Sequence, residues 1–335
     1  MRKLQLEDLS KQLGLSKTLI SMVLNGKGNH YGISKKTQTK VLDEVAKLNY
    51  SPNKFAKSLR TGKSNFIGLI VADISNPFYS KIAKTIEQTL FHNKYNLMVC
   101  SSDEDESRER VLVEMMINQQ SVDGLIVATA HADDSFYAQP RFAAVPTIFI
   151  DRVIPLFSAN YVTIDNFGGS MEIVNHLISK GLNHIACFAI TPMHLSTILD
   201  RINGYKKALE TNNIEFKTEL IKSIHFDQIE QDVEKQLRHL IKEQPEVDAI
   251  FTLNNHIAVA LLGALRKKEF EKYRQIKISC FDDIELFNLI DNPVLSVSQP
   301  IEEIGQNASR LILEVLSGNN KSKLNIVLPT KLVER

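Results

Sequence analysis

From Phe66 onward the chain keeps one rhythm: short apolar runs alternate with stretches of helical periodicity. FIGLIVA precedes a helical pattern from about Phe78, and NLMVC precedes another from about Asp105. VDGLIVAT, VPTIFID, YVTID and HIACFAI follow, then a helix through Arg201 to Leu209, then VDAIFTL, IKISCF and LSVSQP. Short, nearly continuous apolar runs are strands covered on both faces, and strands separated by helices pair in parallel. The fold class is therefore α/β with doubly wound parallel sheets. The runs are too many for one comfortable sheet, so two similar lobes are expected. Polar residues recur where strands end: Asp73, Ser101, Asp151, Asp165, Asn254 and Asp282. Ligands bind at that edge of open α/β sheets, and two facing lobes make a cleft.

The first 64 residues follow a different pattern. LQLEDLSKQL places Leu6, Leu9 and Leu13 on one helical face, and Gly14 breaks it. Ser16 is an N-cap candidate for SKTLISMVLN, which Gly26 ends. After a loop with three glycines, Ser34 starts a third helix with Val41, Leu42, Val45 and Leu48 at helical spacing. The length of 335 residues fits two large domains, or two plus a small one. Charge separates the parts. Residues 1–64 hold 13 Lys+Arg against 4 Asp+Glu, a balance of +9, and the remainder holds 27 against 35, a balance of −8. A basic head on an acidic body points to a polyanionic partner for the head.

The second helix sharpens that. At 100° per residue, Leu15, Leu19, Ile20, Val23 and Leu24 fill one arc, and Lys17, Thr18, Ser21, Met22 and Asn25 fill the other. The Gly-containing turn before it has the spacing of a helix-turn-helix, whose second helix enters the major groove. Ser16, Lys17, Thr18, Ser21 and Met22 would then face DNA. Residues 51–64, SPNKFAKSLRTGKS, begin with a helix-start signal, yet Gly62 ends any helix after about two turns. Isolated helices that short are marginal in water.

"LEDLSKQLGLSKTLISMVLNG" followed by "ISKKTQTKVLDEVAKLNYSPN" resembles the head of LacI/GalR-family transcription regulators. The resemblance continues in order through "IGLIVADISNPFYSKI", "VDGLIV", "FIDR", "VTIDNFGG", "DRINGY", "DAIFTLNN", "ISCFDD", "SVSQPIEEIG" and "LPTKLVER". It implies a cytoplasmic, homodimeric repressor of a carbohydrate-utilisation operon. Its parts would be a small all-α helix-turn-helix domain (1–50), a hinge helix (51–64) and a periplasmic-binding-protein-like effector body (65–335). The lobes would be discontinuous, about 65–161 with 292–322 and about 162–291 with 323–335. Arg335 is not followed by the heptad tail that makes higher oligomers in the family, so a dimer on palindromic operator DNA is expected. The DNA-contacting set widens to Leu6, Asn25, Lys27, Tyr50, Asn53, Lys54, Ala56, Lys57, Leu59 and Arg60. Leu59 stands where the family places the wedge that kinks the minor groove, and Lys54, Lys57, Arg60 and Lys63 can meet phosphates. By the same resemblance the effector shell is Asn76, Phe78, Tyr79, Asp151, Arg152, Arg201, Asn254 and Asp282. Paired donors, acceptors and planar charged groups there suit a sugar's hydroxyls.

Three departures matter. Met22 stands where the family usually has Arg, and it either touches a thymine methyl or is partly buried. The loop NGKGNHYGIS is longer than usual, and Lys27 and His30 either add phosphate contacts or are solvated. Asn255 replaces the family's usual Asp beside Arg152 and Arg201. That leans toward a sugar acid or sugar phosphate, with a neutral sugar kept level.

Other chemistries fit poorly. The carboxylates of DEDESRER (103–110) are expected mainly to complement a helix dipole. DNFGGS lacks a phosphate-loop pattern. The nine histidines and three cysteines show no metal-ligand spacing, so no cofactor and no metal are expected. Cys100, Cys187 and Cys280 sit in or beside strand-like runs and are expected to be small buried thiols of a reducing cytosol. No apolar run approaches the length of a membrane span, and the first residues lack a secretory h-region. A solute receptor or a sugar-acting enzyme is the disfavoured alternative.

Overall fold

The computed structural model describes residues 6–48, 50, 62–319 and 324–335. It divides into two compact units, residues 1–64 and 65–335. In the first, α1 (Leu6–Leu13), α2 (Lys17–Leu24) and α3 (Lys35–Lys47) enclose a small core of Leu9, Leu13, Ile20, Val23 and Val41. Ser16 Oγ accepts the Leu19 amide at 3.2 Å and starts α2, a cap worth about 1 kcal/mol. Gly14 between α1 and α2 takes φ +64°, which a side chain would strain. Leu42 shares the helical spacing of its neighbours yet is half exposed, whereas Val41 is buried and Val45 and Leu48 pack partly against the core.

The second unit alternates as the apolar rhythm requires. Its elements run β1 (Phe66–Val71), α4 (Pro77–His92), β2 (Asn96–Ser101), α5 (Glu106–Glu114), β3 (Gly124–Val127), α6 (Pro140–Ala143), β4 (Thr147–Ile150) and β5 (Asn160–Ile164). Then come α7 (Asn166–Ser179), β6 (Ile185–Ile190), α8 (Ser196–Thr211), β7 (Ile221–Ile224), α9 (Ile229–Glu243), β8 (Ala249–Thr252), α10 (Asn255–Leu265) and β9 (Lys277–Phe281). The chain ends with β10 (Leu295–Ser298), α11 (Ile301–Leu316), β11 (Asn325–Leu328) and β12 (Lys331–Val333). One sheet has the order β11-β5-β4-β3-β1-β2, all parallel, and the other β12-β10-β9-β8-β6-β7, parallel except β12.

The lobes therefore divide at other places than the resemblance implied. Ile164 still belongs to the first sheet, β10 lies in the second, and β11 returns to the first. The expected divisions near 161, 291 and 322 each fall short by a strand or part of one. A crossing inside or ahead of a strand would strip it of its ladder partners, so the chain crosses after each carboxyl end.

The glycine pair of DNFGGS sits where side chains would collide, and a Cβ on Gly169 would lie 2.7 Å from Thr330 Oγ1. A Cβ on Gly168 would lie 2.1 Å from the Asp165 carboxylate that caps α7 by accepting the Gly168 amide. Gly204 lets α8 approach α7, since a Cβ there would stand 2.3 Å from the Phe167 carbonyl. Among the described residues no helix is long and apolar enough to cross a membrane, and no His, Cys, Asp and Glu cluster could hold a metal ion. The three cysteines are free; Cys187 and Cys280 are buried, and burial pushes both thiols up, while Cys100 is half-buried.

Candidate functional site

The carboxyl ends of both sheets face one closed cleft, and its lining includes all eight residues of the expected effector shell. The first lobe supplies Asn76, Phe78, Tyr79, Asp151 and Arg152, and the second supplies Arg201, Asn254 and Asp282. The cleft also takes in Glu104, Thr197, Phe226 and Gln299, which the sequence had not singled out. The space left is about 50 Å³, well below the roughly 300–1,000 Å³ of small-molecule sites. A larger neighbouring concavity of about 840 Å³ shares Phe78, His256, Asp282 and Gln299 with it. The smaller space is the chemical centre, because buried polar atoms of Glu104 and Arg152 converge there.

Each shell residue is placed by local structure. Asn76 caps α4, with its Oδ1 accepting the Phe78 amide at 3.0 Å, and Pro77 follows at the first helical position, where a missing N–H costs nothing. Phe78 and Tyr79 are buried and meet edge to face with ring centroids 4.9 Å apart. The Tyr79 hydroxyl donates to Asp151 Oδ2 at 2.8 Å, and burial holds the phenol well above its ordinary pKa. Asp151 follows β4 with φ +64°, and its carbonyl accepts from Thr163 Oγ1 at 2.8 Å. Asn254 caps α10 through the Ile257 amide.

The two guanidiniums are held firmly. Arg152 Nη2 donates to Glu104 Oε1 at 2.5 Å, and Nη1 donates to the Thr129 carbonyl at 3.0 Å. Burial alone would lower the Arg152 pKa, but Glu104 more than offsets it and the group stays charged. Behind it, the fully buried Glu109 accepts from Thr129 Oγ1, the Ala130 amide and the Tyr137 hydroxyl. The acidic run at 103–110 thus does more than complement a dipole. Asp105 caps α5, Glu104 enters the cleft, and Glu109 braces the loop that holds Arg152. Arg201 Nε donates to Asn166 Oδ1 at 2.8 Å, Nη1 donates to the Leu253 carbonyl at 2.6 Å, and the guanidinium sits 3.8 Å from the Phe281 ring centroid. Asp282 accepts from Gln299 Nε2 at 2.6 Å and from the Asn255 amide at 3.1 Å; burial pushes its carboxyl up to about 6, against the pull of Arg201.

Contacts across the cleft hold the lobes together. Asn76 and Asn255 exchange two amide hydrogen bonds, at 2.9 and 3.2 Å. Lys81 pairs with Glu285 at 2.9 Å, the Val153 amide donates to Ser196 Oγ at 2.9 Å, and His194 Nε2 lies 3.2 Å from the Ala130 carbonyl. Asn255, which stands where the resemblance gives an Asp, makes a lobe contact through its side chain.

In the head, Ser16, Lys17, Thr18, Asn25 and Lys27 are exposed, while Ser21 and Met22 are half-buried. Lys17 Nζ lies 3.2 Å from a Glu7 carboxylate oxygen, and Asn25 Nδ2 donates back to the Ser21 carbonyl at 2.7 Å. Leu6 and Tyr50 pack half-buried against the head core. Asn53, Lys54, Phe55, Ala56, Lys57, Leu59 and Arg60 lie outside the described residues.

A three-helix head and a two-lobed α/β body with a polar cleft between its lobes are the architecture of regulators built on a periplasmic-binding-protein scaffold. The family model for periplasmic binding proteins and the sugar-binding domain of the LacI family matches residues 64–335. The chain is 33% identical to the HTH-type transcriptional regulator DegA of Bacillus subtilis (strain 168), over 99% of this chain and 97% of that protein. It is 28% identical to a ribose operon repressor of the same organism, over 98% and 97%. The lac repressor dimer bound to operator and the anti-inducer ONPF shares the fold, with TM-score 0.84 at 23% identity, over 100% of this chain and 98% of that one. The protein belongs to the LacI family of DNA-binding transcriptional regulators, and the relatives are regulators and not enzymes.

Proposed function

We propose that the protein is a cytoplasmic repressor of a carbohydrate-utilisation operon, controlled by a small sugar or sugar derivative held between the lobes. The observation that carries this reading is the convergence of polar residues from both lobes on one closable cleft. A ligand bridging the lobes favours one lobe arrangement, and operator affinity changes by the ligand's differential affinity for the two arrangements. The name of the ribose operon repressor supports a sugar-linked target, and the lac repressor dimer on its operator supports a homodimer on a palindromic site. The head at 1–50 reads DNA through the exposed N-terminal side of α2, the segment at 51–64 is the hinge, and 65–335 is the sensor.

The test is a gel shift of the purified protein on the region upstream of its own gene and on neighbouring promoters. A sequence-specific shift that a sugar alters is expected. No specific shift on any of these fragments would overturn the reading.

A further inference from the structure

Glu104 is the residue of the cleft whose presence the function does not yet explain. Its side chain is 8% exposed, and one carboxylate oxygen takes the Arg152 guanidinium. The other oxygen, Oε2, is buried without a hydrogen-bond partner. Gln299 Oε1 and Arg152 Nε are in the same condition, with Nε 3.5 Å from Asp151 Oδ2. Buried polar atoms are costly unless a partner satisfies them; among the described residues His131 Nε2 and Ser279 Oγ are also unpaired, but only this trio belongs to residues that line the cleft, where it offers bonding positions to a ligand. Two of the three are acceptors. A hydroxyl can donate to an acceptor and accept from a donor, whereas a phosphate dianion or carboxylate only accepts.

Charge points the same way. Asp73, Glu104, Asp151 and Asp282 line the cleft against Arg152 and Arg201. Both guanidiniums are already engaged, Arg152 by Glu104 and Arg201 by Asn166, the Leu253 carbonyl and the Phe281 ring. The backbone is bent to bring Glu104 in. Asp103 and Glu104 take successive left-handed conformations, φ +53° and +60°, pinned by the Asp103 amide on the Ala72 carbonyl at 2.8 Å. Non-glycine residues held there cost energy and collect at ligand sites.

We propose that Glu104 is a ligand-contacting, specificity-determining residue: it neutralises Arg152 and offers its second oxygen to a hydroxyl. The cleft thereby takes an uncharged polyhydroxy ligand and rejects sugar acids and sugar phosphates. This rests on the cleft being the effector site.

The experiment is calorimetric titration of the full-length protein with matched probes: D-ribose and ribose 5-phosphate, then D-glucose, glucose 6-phosphate and D-glucuronate. The wild type is expected to bind an uncharged member and to bind its charged counterparts at least about tenfold more weakly, as one unit charge at hydrogen-bond range requires. Equal or tighter binding of a charged member overturns the proposal. Glu104→Gln keeps the shape and frees the Arg152 charge, so it should gain at least about tenfold in affinity for a charged probe. If the wild type binds none of the five, the variant decides: a gain supports the proposal and no gain overturns it. An uncharged sugar that binds yet leaves operator affinity unchanged would sink the regulatory reading and leave the assignment of Glu104 standing.

Discussion

The two amide bonds between Asn76 and Asn255 give the closed arrangement a measurable handle. Asn255→Ala removes both, the 2.9 Å and the 3.2 Å bond, and touches little else. The Asn255 amide still donates to Asp282, and Ala is a strong helix former at the first position of α10. A neutral hydrogen bond contributes about 0.5–1.5 kcal/mol net, so the closed state should lose roughly 1–3 kcal/mol relative to an open one in which water solvates both amides. At about 1.4 kcal/mol per factor of ten, the middle of that range shifts the closed-to-open ratio about 30-fold. Spin labels at exposed Gln88 on α4 and exposed Lys268 after α10, in a Cys100→Ser background, report the lobe separation by electron–electron resonance. The variant is expected to add or enlarge a long-distance population that a cleft ligand reverses. A distance distribution identical to that of the parent would refute the idea that this pair holds the lobes closed.

Three further outcomes follow from the same geometry. Asp282, pushed up to about 6 from an ordinary value near 3.8, binds its proton more tightly folded than unfolded. Its contribution is therefore most favourable below pH 4 and is lost as pH rises through about 6, an order-of-magnitude change of about 3 kcal/mol; urea unfolding of wild type and Asp282→Asn at pH 4 and pH 7 should show the wild type losing ground to the variant, and an equal difference at both would contradict this. Arg201→Ala should abolish ligand binding and also lower stability by roughly 2–4 kcal/mol, because it leaves Asn166 and the Leu253 carbonyl unpaired and uncovers Phe281; a melting temperature matching wild type would show the contacts to be dispensable. Lys17→Ala with Thr18→Ala should relax operator sequence preference, and an unchanged preference in a randomised-site selection would move the reading face elsewhere.

Much of this architecture was legible because period and burial are written in the chain. Runs such as FIGLIV and IACFAI have no polar alternation, and each is a buried inner strand with a strand paired on either side. The eight shell residues were named through the family resemblance, and the polar strand ends marked Asp151, Asn254 and Asp282 independently of it. Glu104 was missed for a physical reason. It sits in an acidic run that looks like a solvated helix start, and only two successive left-handed residues without a glycine turn it inward. Glu109 is hidden in the same way, since its partners Thr129 and Tyr137 are 20 and 28 residues distant. The lobe crossings were misplaced because no composition change marks them; the boundary is set by which sheet supplies a strand's partners.

The central claim is that occupancy of the cleft controls operator binding. Its most direct test is fluorescence anisotropy of a labelled upstream fragment titrated with the protein, with and without a saturating uncharged sugar that calorimetry shows to bind. Specific binding is expected, with a dissociation constant that changes at least fivefold with the sugar, the lower end of usual coupling energies of about 1–3 kcal/mol. The same change should be missing in Arg201→Ala. An identical dissociation constant with and without the bound sugar would show that the cleft does not control operator binding.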